Sequence, residues 1–246
     1  MVSAWRRYVL DQGGIYERAG KPLYGAAENL KRGALPPLSG RDNVNNQDDG
    51  AAMRIAPVGI VCAGDPERAG RLAEVDAQIS HYADGIYAAQ AVAASVAVAM
   101  VDGSTAEIVD AGLRQVPQDS WLGRAVAAAM SICERAGAIE KAWEALHTEL
   151  WTPVHSTAAE AIPQAYAVLR LTDGDFMKAM FWGGNFGRDA DTIGAVLGAI
   201  TGARHGMAVI PDPWIELVRK PSGVCLKFAA NEDVVALASA LAGLVR

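Results

Sequence analysis

Residues 187–192, GRDADT, concentrate oxygen-bearing side chains within a few positions of one another. The carboxylates of Asp189 and Asp191 and the hydroxyl of Thr192 precede a run of small apolar residues. Hard divalent cations such as Mg²⁺ prefer carboxylate, hydroxyl and carbonyl oxygens and water as ligands. A regular helix would separate the two carboxylates, but at the irregular start of a helix they can converge. The spacing predicts a cation site, with a doubled helix cap as the alternative.

A second polar cluster ends the long loop at residues 31–50. Three asparagines and two aspartates, Asn43, Asn45, Asn46, Asp48 and Asp49, crowd ahead of Gly50. Glycine lets the backbone approach a ligand closely, and loops of this length in a compact domain are often functional. A turn-rich surface loop is the alternative, since these residue types also favour turns for conformational reasons.

The helix that must carry the acidic segment has glycine at every fourth position, at Gly194, Gly198 and Gly202. Each internal glycine costs about 1 kcal/mol of helix propensity relative to alanine, so a compensating contact is expected. We expect a neighbouring helix to approach closely there. Arg188 is interpreted as the charge partner of the two carboxylates, and His205 as a favourable charge at the helix C-terminus.

The remaining pattern is helical almost throughout. Pro66 opens a helix that closes near His81, with Leu72, Val75 and Ile79 expected on its buried face. At the end of that helix, His81 is either a ligand contact or a histidine that merely complements the helix dipole. Further helices are expected at residues 104–116, 120–137, 139–150, 157–171, 175–181 and 231–241, the fifth of these ended by the glycines at 183 and 184.

Composition excludes several classes of function. The 246 residues include 51% apolar and 20% charged residues, with a net charge of −6 and a pI near 5.2, which argues against an electrostatic nucleic-acid binder. Residues 85–101 are apolar but alanine-rich and short, which favours a buried helix over a membrane span. Cys62, Cys133 and Cys225 are odd in number and widely spaced, as in reduced cytoplasmic proteins.

Three segments resemble one known family. Residues 187–195, running into the glycine-spaced helix, resemble the C-terminal metal motif of the ADP-ribosylglycohydrolases, which include the dinitrogenase reductase-activating glycohydrolases. Residues 49–57, DGAAMRIAP, and residues 80–85, SHYADG, are similar to two further segments of that family and occur in its order. The resemblance covers essentially all of residues 1–210.

This resemblance implies a compact all-α, multi-helix bundle forming a single domain over residues 1–246. It implies hydrolysis of an ADP-ribosyl N- or O-glycosidic bond in a modified protein or small molecule, assisted by Mg²⁺ or Mn²⁺, with a binuclear centre in the complete family fold. The residues it implicates are Asp48 and Asp49 in catalysis, Asn46, Asp49, Gly50, Met53 and His81 in substrate binding, and Asp189, Asp191 and Thr192 at the metal.

One part of the family pattern is not found. The family begins with a Gly-Asp-Ala-Leu-Gly-like helix and a Thr-Asp-Asp-Thr-like motif that supplies the other metal ligands. Residues 47–49 and 171–173 are the nearest candidates and match neither its pattern nor its position. We therefore expect the domain to be incomplete on its N-terminal side. A catalytically weak ADP-ribose binder and a structural, crystallin-like protein remain as alternatives.

Overall fold

The computed structural model describes residues 1–13, 15 and 19–245 of the chain. This part contains fourteen α-helices and no β-strand, so the predicted all-α class is confirmed. The helices are α1 Val2–Trp5, α2 Lys21–Lys31, α3 Leu38–Arg41, α4 Ala56–Val61, α5 Pro66–Ala77, α6 Asp84–Ala99, α7 Thr105–Leu113, α8 Trp121–Ala136, α9 Ile139–Thr148, α10 Ala158–Leu171, α11 Phe176–Gly184, α12 Ala190–His205, α13 Asp212–Val218 and α14 Val234–Ala242. Within the described residues, no helix has both the length and the apolar character needed to cross a membrane.

The buried helix α6 lies at the centre of the bundle. It packs against α4, α5, α7 and α12, and nearly all of its residues are inaccessible to solvent. Its many alanines allow neighbouring helices to come close, and at Gly59 of α4 an added Cβ would collide with Ala93 and Val96 of α6. The prediction of a buried helix at residues 85–101 is confirmed.

A buried polar contact joins three of these helices. The Ser95 hydroxyl on α6 donates to the Ile108 carbonyl on α7 at 2.8 Å and lies 2.7 Å from the Tyr166 hydroxyl on α10. Burial raises the pKa of Tyr166 well above its usual value, so this phenol stays neutral. Because every polar atom in the contact has a partner, it fixes the register of the three helices without an unpaired group.

Helix starts follow the caps predicted from sequence. Ser104 and Glu107 form a capping box, in which the Ser104 Oγ accepts from the Glu107 N–H and the Glu107 carboxylate accepts from the Ser104 N–H. The Asp175 carboxylate accepts from the Lys178 N–H at 2.8 Å at the start of α11. Gly137, in the left-handed conformation, ends α8 as expected.

The buried face of α5 differs from the prediction. Leu72 and Val75 are exposed, at 40% and 45%, and the face that packs on α6 consists of Ala69, Ala73 and Ala77. Ile79, just beyond the end of α5, is buried as predicted. The close approach of two helix backbones selects small side chains, and the larger aliphatic residues are left on the outside. Side-chain size therefore determines which face of α5 is buried.

The glycines of α12 also play a different role from the one expected. A Cβ on Gly198 would lie 3.5 Å from the Met180 sulfur, an ordinary contact, and a Cβ on Gly202 would meet nothing within 4 Å. The tight contact between α11 and α12 occurs instead at Gly183, where an added Cβ would collide with Leu197. The sequence predicted that Gly183 and Gly184 end α11 after residue 181. Both glycines instead belong to the helix.

The loop at residues 31–50 is held by buried side-chain amides. The Asn29 amide donates to the carbonyls of Ser39 and Asp42, and the Asn43 amide donates to those of Pro22 and Ser80. These bonds fix the loop against α2 and the end of α5. The acidic residues that follow therefore enter the site from a defined backbone.

Candidate active site

The candidate site is a cavity of about 390 Å³ where several distant chain segments meet. The Asp49 N–H donates to the Ser156 carbonyl at 2.9 Å, and the Ala158 N–H donates to the Gln47 carbonyl at 3.0 Å, which joins the two loops. The residues that line the cavity are Ala19 to Leu23, Asn45, Asp48, Asp49, Gly50, Met53, His81, Val154, His155, Ser156, Asp189, Asp191 and Thr192.

Two buried carboxyl groups, those of Asp49 and Asp189, face each other in this cavity. Their exposed fractions are 2% and 8%, and no described residue donates a hydrogen bond to the Asp49 Oδ2. Burial, then the hydrogen bond to Asp189, then repulsion from Asp189 and Asp48 raise the pKa of Asp49 to about 10. Two adjacent carboxyl groups cannot both ionise without a counter-charge. The pair therefore holds a proton, or a cation in its place.

Asp48 is oriented by a chain of hydrogen bonds that begins at Arg54. The guanidinium donates to the Ser80 Oγ at 3.0 Å, the Ser80 Oγ lies 2.7 Å from the His81 Nδ1, and the His81 Nε2 lies 2.7 Å from the Asp48 Oδ1. Arg54 is itself paired with Asp76 at 2.9 Å. A chain of hydrogen bonds through Arg54 and the end of α5 thus leads to one carboxylate.

The donors fix the protonation of this chain. The Asp48 carboxylate can only accept, so the His81 Nε2 carries the hydrogen. In the neutral ring Nδ1 then accepts from the Ser80 hydroxyl, which itself accepts from Arg54. Burial is the largest influence on His81 and lowers its pKa, which favours the neutral ring. Both ring nitrogens are occupied and the side chain is fully buried. In this structure His81 positions Asp48, and its predicted contact with the substrate stays a prediction.

Gly50 is required by the same contact. Its N–H donates to the Asp48 Oδ1 at 2.8 Å, and an added Cβ would lie 2.9 Å from that oxygen and 3.4 Å from the His81 Nε2. A side chain here would displace the carboxylate. The glycine therefore serves the geometry of the site, which agrees with the close approach inferred from the sequence.

The three residues predicted to bind metal all lie at the cavity. Asp189 precedes the first residue of α12, the exposed Asp191 accepts from the Thr192 N–H at 3.1 Å, and the Thr192 hydroxyl lies 3.7 Å from the Met53 sulfur. In the described part of the chain, no group of three or more Asp, Glu, His or Cys side chains is arranged to hold a metal ion. The acidic residue that meets Asp189 is Asp49, which the sequence indicated for catalysis and substrate binding.

The predicted substrate residues fall into two groups. Gly50, Met53 and His81 line the cavity, but Asn46 does not. The Asn46 side-chain amide donates to the Arg41 carbonyl at 2.8 Å, and the Asn46 backbone carbonyl accepts from the Tyr82 N–H. Its neighbour Asn45 lines the cavity instead. No feature of the sequence distinguishes these two asparagines, so only the turn geometry reveals which one faces the site.

Sequence reasoning missed His155 and misassigned Arg188. The exposed His155 side chain places Nε2 3.5 Å from the Asp189 Oδ1, but a lone histidine between two helices carries no signal of such a contact. Arg188 was expected to pair with Asp189 and Asp191, whereas its guanidinium binds the buried Glu160. At the other end of α12, His205 lies 3.0 Å from the Gly174 carbonyl, which ties it to the start of α11.

Comparison with known proteins identifies the family to which the chain belongs. The chain is 33% identical over 201 residues to an uncharacterized protein of Archaeoglobus fulgidus, and 28% identical over 221 residues to the uncharacterized protein YegU of Escherichia coli K12. These alignments cover 81% and 84% of this chain but 61% and 65% of the relatives, so the chain spans less than two thirds of their length. The family model for ADP-ribosylglycohydrolases matches residues 1–246. The chain therefore belongs to the ADP-ribosylglycohydrolase family.

Proposed function

We propose that this protein hydrolyses the glycosidic bond between ADP-ribose and a nitrogen or oxygen of an acceptor, with a divalent cation bound in the cavity. The observation that supports this most directly is the buried carboxyl pair of Asp49 and Asp189. It lies beside Asp48, which is oriented by His81, in a cavity of the size that ligand sites usually have.

The donor set fits Mg²⁺ or Mn²⁺. A buried carboxylate oxygen without a donor, next to a second buried carboxyl group, is unfavourable in the absence of a positive charge. Asp49 and Asp189 would hold the cation, and Asp191 and Thr192 are further oxygen donors at the same cavity. Such an ion supplies positive charge that orients hydroxyl groups and lowers the pKa of a bound water.

Asp48 is the proposed general base. Its Oδ1 accepts from the His81 Nε2–H and the Gly50 N–H, which fixes the plane of the carboxylate. No described residue donates a hydrogen bond to its Oδ2, so this oxygen is available to take a proton from water. Proton transfer by a positioned group of this kind contributes roughly 10²- to 10⁴-fold to a rate.

The acceptor group leaves from the same cavity. A modified protein or a small molecule meets the chemical requirement, since the proposed bond is to nitrogen or oxygen in either. The exposed His155 and Met53 lie at this cavity and are accessible to such a group.

ADP-ribose binding with slow turnover is the second candidate. It is favoured by the lack, among the described residues, of a cluster of three or more metal-binding side chains. A cation held by two buried carboxylates keeps more water in its coordination shell and binds less tightly than one held by a full set. The cavity would still accept the ribose.

Release of free ADP-ribose distinguishes the two candidates. ADP-ribosylarginine and an O-linked ADP-ribosyl peptide should be incubated with the protein, with Mn²⁺ or with EDTA, alongside calorimetric titration of ADP-ribose. Asp48→Asn should lower Mn²⁺-dependent release about 10²-fold or more and keep the binding. Asp110→Asn, an exposed carboxylate on α7, is the matched control. Binding without release supports the second candidate, and neither binding nor release contradicts both.

A further inference from the structure

An ion pair between the buried Glu160 and the partly exposed side chain of Arg188 lies next to the predicted metal residues. The Glu160 side chain is fully buried, and its two oxygens accept from the Arg188 Nε at 2.5 Å and Nη2 at 2.9 Å. The same carboxylate accepts from the Thr152 N–H at 2.7 Å, and the Thr152 hydroxyl lies 2.8 Å from both this carboxylate and the Val154 carbonyl. A bidentate guanidinium and a backbone N–H thus satisfy the buried carboxylate, which makes this geometry specific.

Arg188 holds an unfavourable backbone conformation through this pair. Its φ of +53° lies in the left-handed region, which residues other than glycine rarely adopt. Its Nη2 also donates to the Thr152 carbonyl at 2.6 Å, and the guanidinium lies over the Trp151 ring at 5.6 Å. The next residue is Asp189. The direction in which the Asp189 carboxyl group leaves the backbone therefore depends on the turn at Arg188.

The Glu160 cluster, consisting of Thr152, Glu160 and Arg188, also reaches the other side of the site. Thr152 begins the loop that ends at Ser156, whose carbonyl accepts from the Asp49 N–H. The cluster thus fixes the backbone on which Asp189 sits and the loop that supports Asp49. None of its three residues lines the cavity.

We propose that the Glu160 cluster positions Asp189 against Asp49 and so sets the affinity of the site for its divalent cation. Glu160 and Arg188 are positioning residues, because they act through the backbone and do not face the cavity. The inference rests on the proposed function, in which that cation is required. It adds the expectation that cation affinity depends on two residues that are not ligands.

Four variants separate this role from general stability. Arg188→Gly removes the guanidinium while glycine accepts the positive φ without strain. Arg188→Lys keeps a charge but loses the two-pronged contact. Glu160→Gln removes the buried charge and retains an acceptor for Thr152. The double variant Glu160→Gln/Arg188→Gly leaves no buried charge uncompensated.

The control is the ion pair of Arg135 and Glu149, which is exposed on both sides and far in sequence from the motif. Arg135→Ala removes an arginine of similar chemistry and should leave the site unaffected, because exposed pairs contribute little.

The measurement is calorimetric titration with Mn²⁺ alone, with a thermal melt of each variant in EDTA to establish folding. We expect the Mn²⁺ dissociation constant to rise at least tenfold in Arg188→Gly and in the double variant. It should rise less in Glu160→Gln and Arg188→Lys, and stay unchanged in Arg135→Ala. If Arg188→Gly does not fold, Glu160→Gln and the double variant decide.

Wild-type affinity for Mn²⁺ in the folded Glu160→Gln and double variants would overturn the positioning role and leave the proposed function intact. A wild-type protein that binds no Mn²⁺ would overturn the cation site, the proposed function and this inference together. A third outcome would give the cluster only a structural role. In it, the loss of Mn²⁺ affinity would parallel a lower melting temperature of the metal-free variants, and Arg188→Lys would retain no more affinity than Arg188→Gly.

Discussion

At the scale of single residues, the Asp49 carboxyl group lowers the stability of the metal-free fold and is also a proposed ligand of the cation. Asp49 is buried against Asp189, and its pKa is raised from 3.8 to about 10. Between these values the folded chain binds more protons than the unfolded chain, so the free energy of unfolding falls as the pH rises through this window. A cation would remove this loss of stability by neutralising the pair of carboxyl groups. The residue that destabilises the metal-free fold is therefore the one that favours binding.

Asp49→Asn tests this directly. Asparagine cannot ionise and can donate to Asp189, so without metal the variant should melt above the wild type at pH 8, by about 2–4 °C for each kcal/mol gained. The difference should shrink toward pH 4, where the carboxyl group of the unfolded wild-type chain also begins to be protonated. Thermal melts in EDTA from pH 4 to pH 9 measure it. Equal slopes of melting temperature against pH in the two proteins would show that Asp49 is not a shifted acid.

His81→Ala tests the orientation of Asp48. The substitution removes the Nε2–H donor and opens a space beside Ser80, and the carboxylate becomes free to rotate. We expect the rate of ADP-ribose release to fall tenfold or more, with a smaller change in ADP-ribose affinity, because both ring nitrogens already hydrogen-bond within the protein. Steady-state kinetics and calorimetry on the same variant report both. A loss confined to affinity would instead favour the predicted substrate contact.

At the scale of helices, the sequence predicted where elements begin more accurately than which face they bury. Caps depend on neighbouring residues, so the capping box at Ser104 and the cap at Asp175 could be predicted from local spacing. The orientation of α5 could not, since it was decided by the small residues that its partner α6 accepts. The close helix contact predicted at the glycines of α12 was wrong for the same reason. Which helix approaches another is determined by the tertiary structure and not by local spacing.

Two glycine substitutions should have opposite effects on stability. Gly183→Ala places a methyl group against Leu197 and should destabilise the fold by about 1–3 kcal/mol through overpacking. Gly202→Ala meets open space in α12 and should stabilise it by about 0.5–1 kcal/mol through helix propensity. Urea unfolding of both variants against the wild type measures the two signs. A shift of the same sign in both would contradict the packing of α11 on α12.

At the scale of the whole molecule, the site is assembled from residues far apart in the chain. The resemblance placed Asp48, Asp49, His81 and Asp189 near one ligand, but spacing alone could not show which carboxyl groups meet. Asp49 and Asp189 are brought together by the packing of α12 on the bundle and by the loop at Ser156. The Glu160 partner of Arg188 was equally invisible, because a glutamate inside an apolar helix pattern gives no indication of its partner.

Cation binding should therefore appear as stability of the entire fold. A ligand that binds only the folded chain stabilises it by RT ln(1 + [L]/Kd), about 2.7 kcal/mol at 100 times Kd, which corresponds to roughly 5–10 °C for a chain of this size. We expect Mn²⁺ to raise the melting temperature of the wild type.

Asp189→Asn should abolish this rise, because Asp189 is a buried member of the pair. Asp191→Ala should reduce it, because Asp191 is exposed and contributes an oxygen at the margin of the cavity. Melts with Mn²⁺ and with EDTA, and with Asp110→Asn as the control, provide the comparison. Equal Mn²⁺ shifts in the wild type, Asp189→Asn and Asp191→Ala would place the bound ion elsewhere and remove the metal from this cavity.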